Sequence, residues 1–132
     1  MQAMILKPIG VIRSKYKSRR EAPRQGRTSE EVSVIEVYEE FAEGLEGIER
    51  FEKIIVLYWM HESRRDVIRA KPPGGNERGV FSTRSPERPN PIGFSVCKLL
   101  KVEGRKIYVK WLDAIDGTPL IDIKPFIEEI DC

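Results

Sequence analysis

The sequence predicts a mainly β fold: a small single-domain barrel with one or two short helices and long proline- and glycine-rich loops. Three observations carry this expectation. Short β-branched runs recur, as in Val32, Val34, Ile35 and Val37, and again in Ile54, Ile55, Val56 and Leu57. Ile107, Val109 and Trp111 alternate with Lys106, Tyr108 and Lys110, the period of a half-buried strand. The connecting segments are rich in Pro and Gly, which suits a curled sheet of many short strands. No segment repeats, and 132 residues suit one domain over 1–132.

Taken in order, Met4–Ser14 reads as a first strand interrupted by Pro8, and Lys15–Glu30 as a polar loop. Glu31–Tyr38 reads as a second strand. Over Glu40–Glu52, Phe41, Leu45, Ile48 and Phe51 mark one face of a short helix, weakened by Gly44 and Gly47. Lys53–Met60 is an apolar run of strand length and fits a central strand buried on both faces. His61–Ala70 is polar, with a helical turn expected. Lys71–Asn76 is irregular, and Gly79–Ser82 is a short strand. Thr83–Gly93 holds Pro86, Pro89 and Pro91 and is an extended, stiff loop. Phe94–Val102 and Arg105–Leu112 form a hairpin about Glu103-Gly104. Asp116-Gly117-Thr118-Pro119 is a turn, and Leu120–Ile123 a last strand.

Composition narrows the class. The longest apolar run, Ile54 to Met60, is far short of the roughly 20 residues a membrane helix needs, and Met1–Gly10 does not read as a signal peptide. Cys97 and Cys132 do not make a disulfide framework. One histidine and two cysteines are too few for most structural zinc sites. A cytoplasmic protein without a metal, and not embedded in a membrane, is expected. The formal net charge of +2 hides segregation. Seven basic residues and one acid lie between Arg13 and Arg27, and seven bases and three acids between Arg64 and Arg88. Between Ser29 and Lys53 nine glutamates face two bases, and Asp113–Asp131 carries six acids and Lys124. Arginine-rich loops suit phosphates and other planar anions, while alternating charge blocks also serve solubility alone.

Several chemistries are disfavoured. No Gly-x-Gly-x-x-Gly or Walker-type loop is present. His61 is the sole histidine, so no Ser-His-Asp set can be argued, and a lone histidine is more often structural. Asp113 and Asp116, three apart, are weak evidence for a metal.

The segment Gly79-Val80-Phe81-Ser82-Thr83-Arg84-Ser85-Pro86-Glu87-Arg88-Pro89-Asn90-Pro91-Ile92-Gly93 stands out, because three prolines stiffen a backbone bearing Arg84 and Arg88. Two further strings accompany it. One is Ile9-Gly10-Val11-Ile12-Arg13-Ser14, followed by Pro23-Arg24-Gln25. The other is Asp113-Ala114-Ile115-Asp116-Gly117-Thr118-Pro119, running on to Asp122-Ile123-Lys124-Pro125. With His61, these resemble the TsaA-like (TrmO, formerly YaeB) family of tRNA methyltransferases.

The resemblance implies a single β-barrel domain that binds S-adenosyl-L-methionine without a Rossmann fold. It implies a homodimer with the cofactor site near the subunit interface. The implied substrate is threonylcarbamoyladenosine at position 37 of the tRNA anticodon loop, methylated on N6. Longer relatives carry an extra C-terminal domain that is expected to be absent here. Residues implied in cofactor binding are Pro23, Arg24, Gln25, His61, Glu62, Arg84, Phe94, Trp111, Leu112, Asp113 and Asp116.

Chemistry suggests how such residues would divide the work. Arg24 or Arg84 suits the donor's carboxylate, and Asp113 or Asp116 its ribose hydroxyls. Backbone groups around Leu112, with Phe94, suit the adenine, while Gln25 and His61 suit either portion. No residue is an obvious base: substrate acidity or a carboxylate such as Asp116 would serve, and Asp-Gly-Thr-Pro is equally an ordinary turn. Trp111 and Phe94 fit core positions as well as stacking platforms, and Tyr58 and Trp59 read as core or dimer contacts. Arg19, Arg20, Arg64, Arg65 and Arg88 are the candidates for RNA phosphates. A non-enzymatic RNA-binding barrel and a methyltransferase acting on a small molecule remain alternatives.

Overall fold

Among the described residues, six of eight strands roll into a closed antiparallel barrel. The computed structural model describes residues 3–18, 20–22 and 30–132. The strands are β1 (Gly10–Arg13), β2 (Ser33–Val37), β3 (Lys53–Trp59), β4 (Arg69–Ala70), β5 (Arg78–Gly79), β6 (Ile92–Glu103), β7 (Lys106–Lys110) and β8 (Thr118–Pro125). The barrel order is β1-β2-β7-β6-β3-β8, closed by β8 pairing back onto β1, while β4 and β5 form a separate ribbon. Closure leaves no unpaired edge in the main sheet, which removes the template for edge-to-edge aggregation.

The period-2 patterns decide what fills the interior. On β2, Ser33, Ile35 and Val37 point inward; on β7, Ile107 and Val109; on β8, Thr118 and Leu120. Ile54, Val56 and Tyr58 from β3, Cys97 from β6 and Ile12 from β1 complete the set. A small barrel has room for these side chains and little else. On β3 burial extends to the outer face, where Ile55 lies in register between Val96 and Lys124. Cys97 is a buried free thiol, and Cys132 is free and exposed.

Several boundaries differ from the sequence expectation. The first strand is four residues, not eleven: Met4 and Ile5 stand in solvent, and pairing begins where the Ile9 amide reaches the Leu120 carbonyl at 2.8 Å. The expected helix over Glu40–Glu52 is two 3-10 segments, Glu39–Leu45 and Ile48–Arg50. Gly47 separates them at φ 88°, a left-handed conformation that suits glycine. Their apolar residues Phe41, Leu45, Ile48 and Phe51 still pack on the core, so the spacing marked the right face. Gly79–Ser82 is not a strand; pairing stops at Gly79 and a 3-10 turn covers Val80–Ser82. The last strand starts at Thr118 and takes in Pro119, which lies opposite Val11 where β8 closes on β1. A single α-helical turn, α1 (Glu128–Asp131), follows.

Strand direction sorts the connections between the two ends of the barrel. At one end, here the upper end, lie the chain from β1 to β2, the long excursion from β3 to β6 and the link from β7 to β8. The two 3-10 segments over 39–50, the β6–β7 turn and the described residues before β1 and after β8 lie at the lower end. The described residues of both basic segments therefore lie at or beside the upper end, and the glutamate-rich 39–52 segment caps the lower end.

Candidate functional site

Every sequence-selected candidate among the described residues belongs to the upper end. The centre is a three-residue hydrogen-bonded set inside the barrel mouth. The Tyr58 hydroxyl donates to Asp113 Oδ1 and lies 3.3 Å from Ser95 Oγ, which is itself 3.4 Å from Asp113 Oδ1. Tyr58 reaches this position because Gly93, its partner across β3 and β6, leaves the space its ring occupies. A Cβ at Gly93 would come within 2.2 Å of that ring. Beside Tyr58 the β3–β8 register shifts between Leu57 and Tyr58, an irregularity of the kind that re-aims a side chain at a barrel rim.

Asp113 arrives on a constrained backbone. Trp111, two residues earlier, has φ 72° and is the only non-glycine with positive φ among the described residues. Such strain persists when surrounding structure over-determines it, and it clusters at functional sites. Leu112 between them is buried in the core, so only its backbone can face a ligand. Burial raises the Asp113 carboxyl above the usual carboxylate range, opposed by the hydrogen bonds from Tyr58 and Ser95. Burial and the Asp113 charge push the Tyr58 hydroxyl far up, so it stays protonated and donating. Burial, then the same charge, raises the Cys97 thiol, leaving it inert.

Asp116 has a different environment. Its Oδ1 accepts the Ser14 amide at 3.1 Å and its Oδ2 meets Lys17 Nζ at 3.3 Å. The Asp116 and Gly117 amides reach the Tyr16 and Ile12 carbonyls, and Ser14 Oγ reaches the Ala114 carbonyl at 2.8 Å. The 111–117 link is thus clasped to the end of β1. The Ser14 amide first, then Lys17, lowers the Asp116 carboxyl.

The arginines of the β3–β6 excursion divide into two kinds. Arg88 is half-buried and donates to the carbonyls of Val80, Thr83 and Ser85, so its fork holds its own loop together. Arg65 donates to the Pro89 carbonyl at 2.8 Å and Asn90 Oδ1 at 3.0 Å, and stacks on Trp59 at 5.0 Å. Arg64 forms a two-point contact with Asp66, and its amide bonds to Glu87. These contacts, with Met60 to Pro91 and Arg88 to Arg64 through the backbone, sew 60–66 to 87–91. Arg84 is exposed and bonds to none of the described residues. His61 and Glu62 are exposed on the turn after β3.

Not all candidates come together. Phe94 is exposed on the outer face of β6, whereas its neighbour Ser95 faces inward to Asp113. Arg20 is exposed, and Arg19, Pro23, Arg24 and Gln25 lie outside the described residues. Tyr58 and Ser95 were not selected as ligand-site residues from sequence. The available signal was a tyrosine on an inward strand position, whose hydroxyl must find a partner when buried. A groove of about 780 Å³ lies away from these residues, at the lower end, lined by Phe41, Leu45, Ile48 and Phe51 among others. Among the described residues no group of three His, Cys, Asp or Glu is placed to hold a metal, and no helix is long and apolar enough to cross a membrane.

Comparison with known proteins places this architecture. The family model of the tRNA-methyltransferase O N-terminal domain matches residues 11–132. An S-adenosyl-L-methionine-binding protein of Archaeoglobus fulgidus is 57% identical over 130 residues, covering 98% of this chain and 94% of its own. The human tRNA (adenine(37)-N6)-methyltransferase is 36% identical over 137 residues, covering 97% of this chain but 31% of its own. The crystal structure of TrmO from Pseudomonas aeruginosa superposes with a TM-score of 0.83 at 32% identity, over 99% of this chain and 59% of that one.

Proposed function

The chain belongs to the tRNA-methyltransferase O family, and on that premise we propose that it binds S-adenosyl-L-methionine at the upper end of the barrel and methylates tRNA. The observation that carries this reading is the anchored carboxylate of Asp113, presented at the rim that also bears the cationic loops. The donor set fits the cofactor's chemistry. Asp113 suits the ribose hydroxyls, and the exposed Arg84 suits the amino-acid carboxylate. When bound, the cofactor supplies a methyl group activated on a sulfonium. The residues' own task is to position two partners, which contributes most of what a methyl transfer needs.

We further propose the finer substrate, N6 of threonylcarbamoyladenosine at position 37. The name of the human relative supports adenine 37. The threonylcarbamoyl group adds a carboxylate, which an arginine-bearing rim suits. Asp116, held ionised by Ser14 and Lys17, fastens the loop. On the same reading the protein acts in the cytoplasm as a homodimer. The half-exposed Phe94 and Ile92 on the outer face of β6 supply apolar surface for a subunit contact near the site.

The test is incubation of purified protein with labelled cofactor and tRNA bearing or lacking the threonylcarbamoyl group, followed by nucleoside mass spectrometry. Methyl incorporation confined to modified adenosine is the expected result. Cofactor binding with no label in either RNA would overturn the proposed substrate; absence of cofactor binding would overturn the whole reading. Sedimentation equilibrium checks the dimer.

A further inference from the structure

Flanking the ribbon of β4 and β5 are two exposed apolar residues that the proposed methyl-transfer site does not use. Phe81 is 84% exposed and Ile68 68% exposed. They are close in the fold, because the Val80 amide bonds to the Ile68 carbonyl at 3.0 Å. Such a display on an otherwise charged loop calls for an occupant.

The turn that carries Phe81 is rigid. Val80 is buried, and its carbonyl accepts the Thr83 amide at 3.0 Å, the Thr83 hydroxyl at 2.9 Å and the Arg88 guanidinium. The Ser82 hydroxyl bonds to the Gly79 carbonyl at 2.8 Å, and Arg78 Nε to the Ser82 carbonyl at 3.1 Å. Anchoring Val80 inward leaves its neighbour Phe81 outward, on a backbone that loses little freedom when something binds. Around the pair stand Arg69, Lys71, Arg78 and Arg84, all exposed. The local acids Asp66 and Glu77 are already paired with Arg64 and Arg69.

We propose that Phe81, with Ile68 beside it, is a stacking platform for an unpaired base of single-stranded RNA, with Lys71 and Arg78 available to the flanking phosphates. An aromatic face among cations is the combination that single-stranded nucleic acid recognises. A second copy of this chain is the poorer occupant. A two-fold contact would set this cationic patch against itself, and interface cores are depleted in charge. The proposal rests on the reading of RNA as substrate, and extends it to a surface outside the cofactor-binding residues.

The test measures fluorescence anisotropy of a hairpin RNA with an unpaired loop, and of a fully paired duplex, against full-length wild type, Phe81→Ala and Phe81→Trp. Cofactor titration and sedimentation are run on each protein. Phe81→Ala is expected to weaken hairpin binding roughly tenfold and Phe81→Trp to restore it. Duplex affinity, cofactor affinity and oligomeric state stay constant. Equal hairpin affinity for wild type and Phe81→Ala overturns the platform alone, as does a change of oligomeric state in Phe81→Ala. Wild type that binds cofactor but no RNA overturns the platform and the RNA substrate together.

Discussion

The Tyr58 hydroxyl and the Asp113 carboxylate, 55 positions apart in sequence, meet inside the mouth of the barrel and share Ser95 as a third partner. This contact ties the end of β3 to the link between β7 and β8. It leaves one carboxylate oxygen fixed and turns an otherwise mobile acid into an oriented acceptor. Four expectations follow from it and from its surroundings.

Tyr58→Phe keeps the ring and removes the donor. The half-buried carboxylate then loses its strongest partner, which costs about 1–3 kcal/mol of stability. Cofactor affinity should fall about tenfold or more, with a smaller loss in Ser95→Ala, since its contact is longer. Calorimetric titration and urea unfolding of both variants measure the two effects separately.

The two aspartates have opposite pH signatures. The native Asp113 carboxyl is raised, so the folded state holds this proton more tightly than the unfolded chain. Its ionisation therefore removes stability as pH rises from the ordinary value near 3.8 through the native value. Asp113→Asn should flatten that decline. The Asp116 carboxyl is lowered, so its contribution is present above 3.8 and is lost as acid protonates it through the native value. Asp116→Asn should cost about 1–2 kcal/mol at neutral pH, and the difference should vanish in acid. Unfolding free energies across an acid-to-neutral series check both signs.

Gly93→Ala places a methyl carbon within 2.2–2.7 Å of three Tyr58 ring carbons. The ring is bonded to Asp113 and cannot turn away freely. A destabilisation of about 1–3 kcal/mol is expected, with a loss of cofactor affinity resembling Tyr58→Phe. The same substitution combined with Tyr58→Ala should be milder than the sum, which a double-mutant cycle reads directly.

Arg88 and Arg84 separate structure from contact. Arg88→Lys loses a fork shared among three carbonyls and should cost about 1–3 kcal/mol, seen as a lowered Tm. It should leave the salt dependence of RNA binding unchanged. Arg84→Ala should alter stability by less than about 0.5 kcal/mol and weaken cofactor affinity about tenfold. Thermal melts, salt titrations and cofactor titrations distinguish them.

Much of the barrel was readable locally. The alternation on β7, the apolar run of β3 and the Gly104 turn are properties of adjacent residues, and they fix which side chains face inward wherever a strand forms. Segments whose form depends on distant packing were misread. The 39–52 spacing marks a buried face in either kind of helix, and the left-handed Gly47 together with core contacts resolved it into 3-10 turns. Met4–Pro8 has strand composition, but pairing with β8 begins only at Ile9.

For the site, residue types along the chain supply the chemical inventory: acids at 113 and 116, arginines on proline-stiffened loops, and opposite charges in separate blocks. Folding assigns the roles. It gave Asp113 a tyrosine and a serine while giving Asp116 a backbone amide and a lysine, and it folded Arg88 inward while leaving Arg84 in solvent. Identical side chains differ here only through their partners and their access to water, and those are set by which strands become neighbours when the sheet closes on itself.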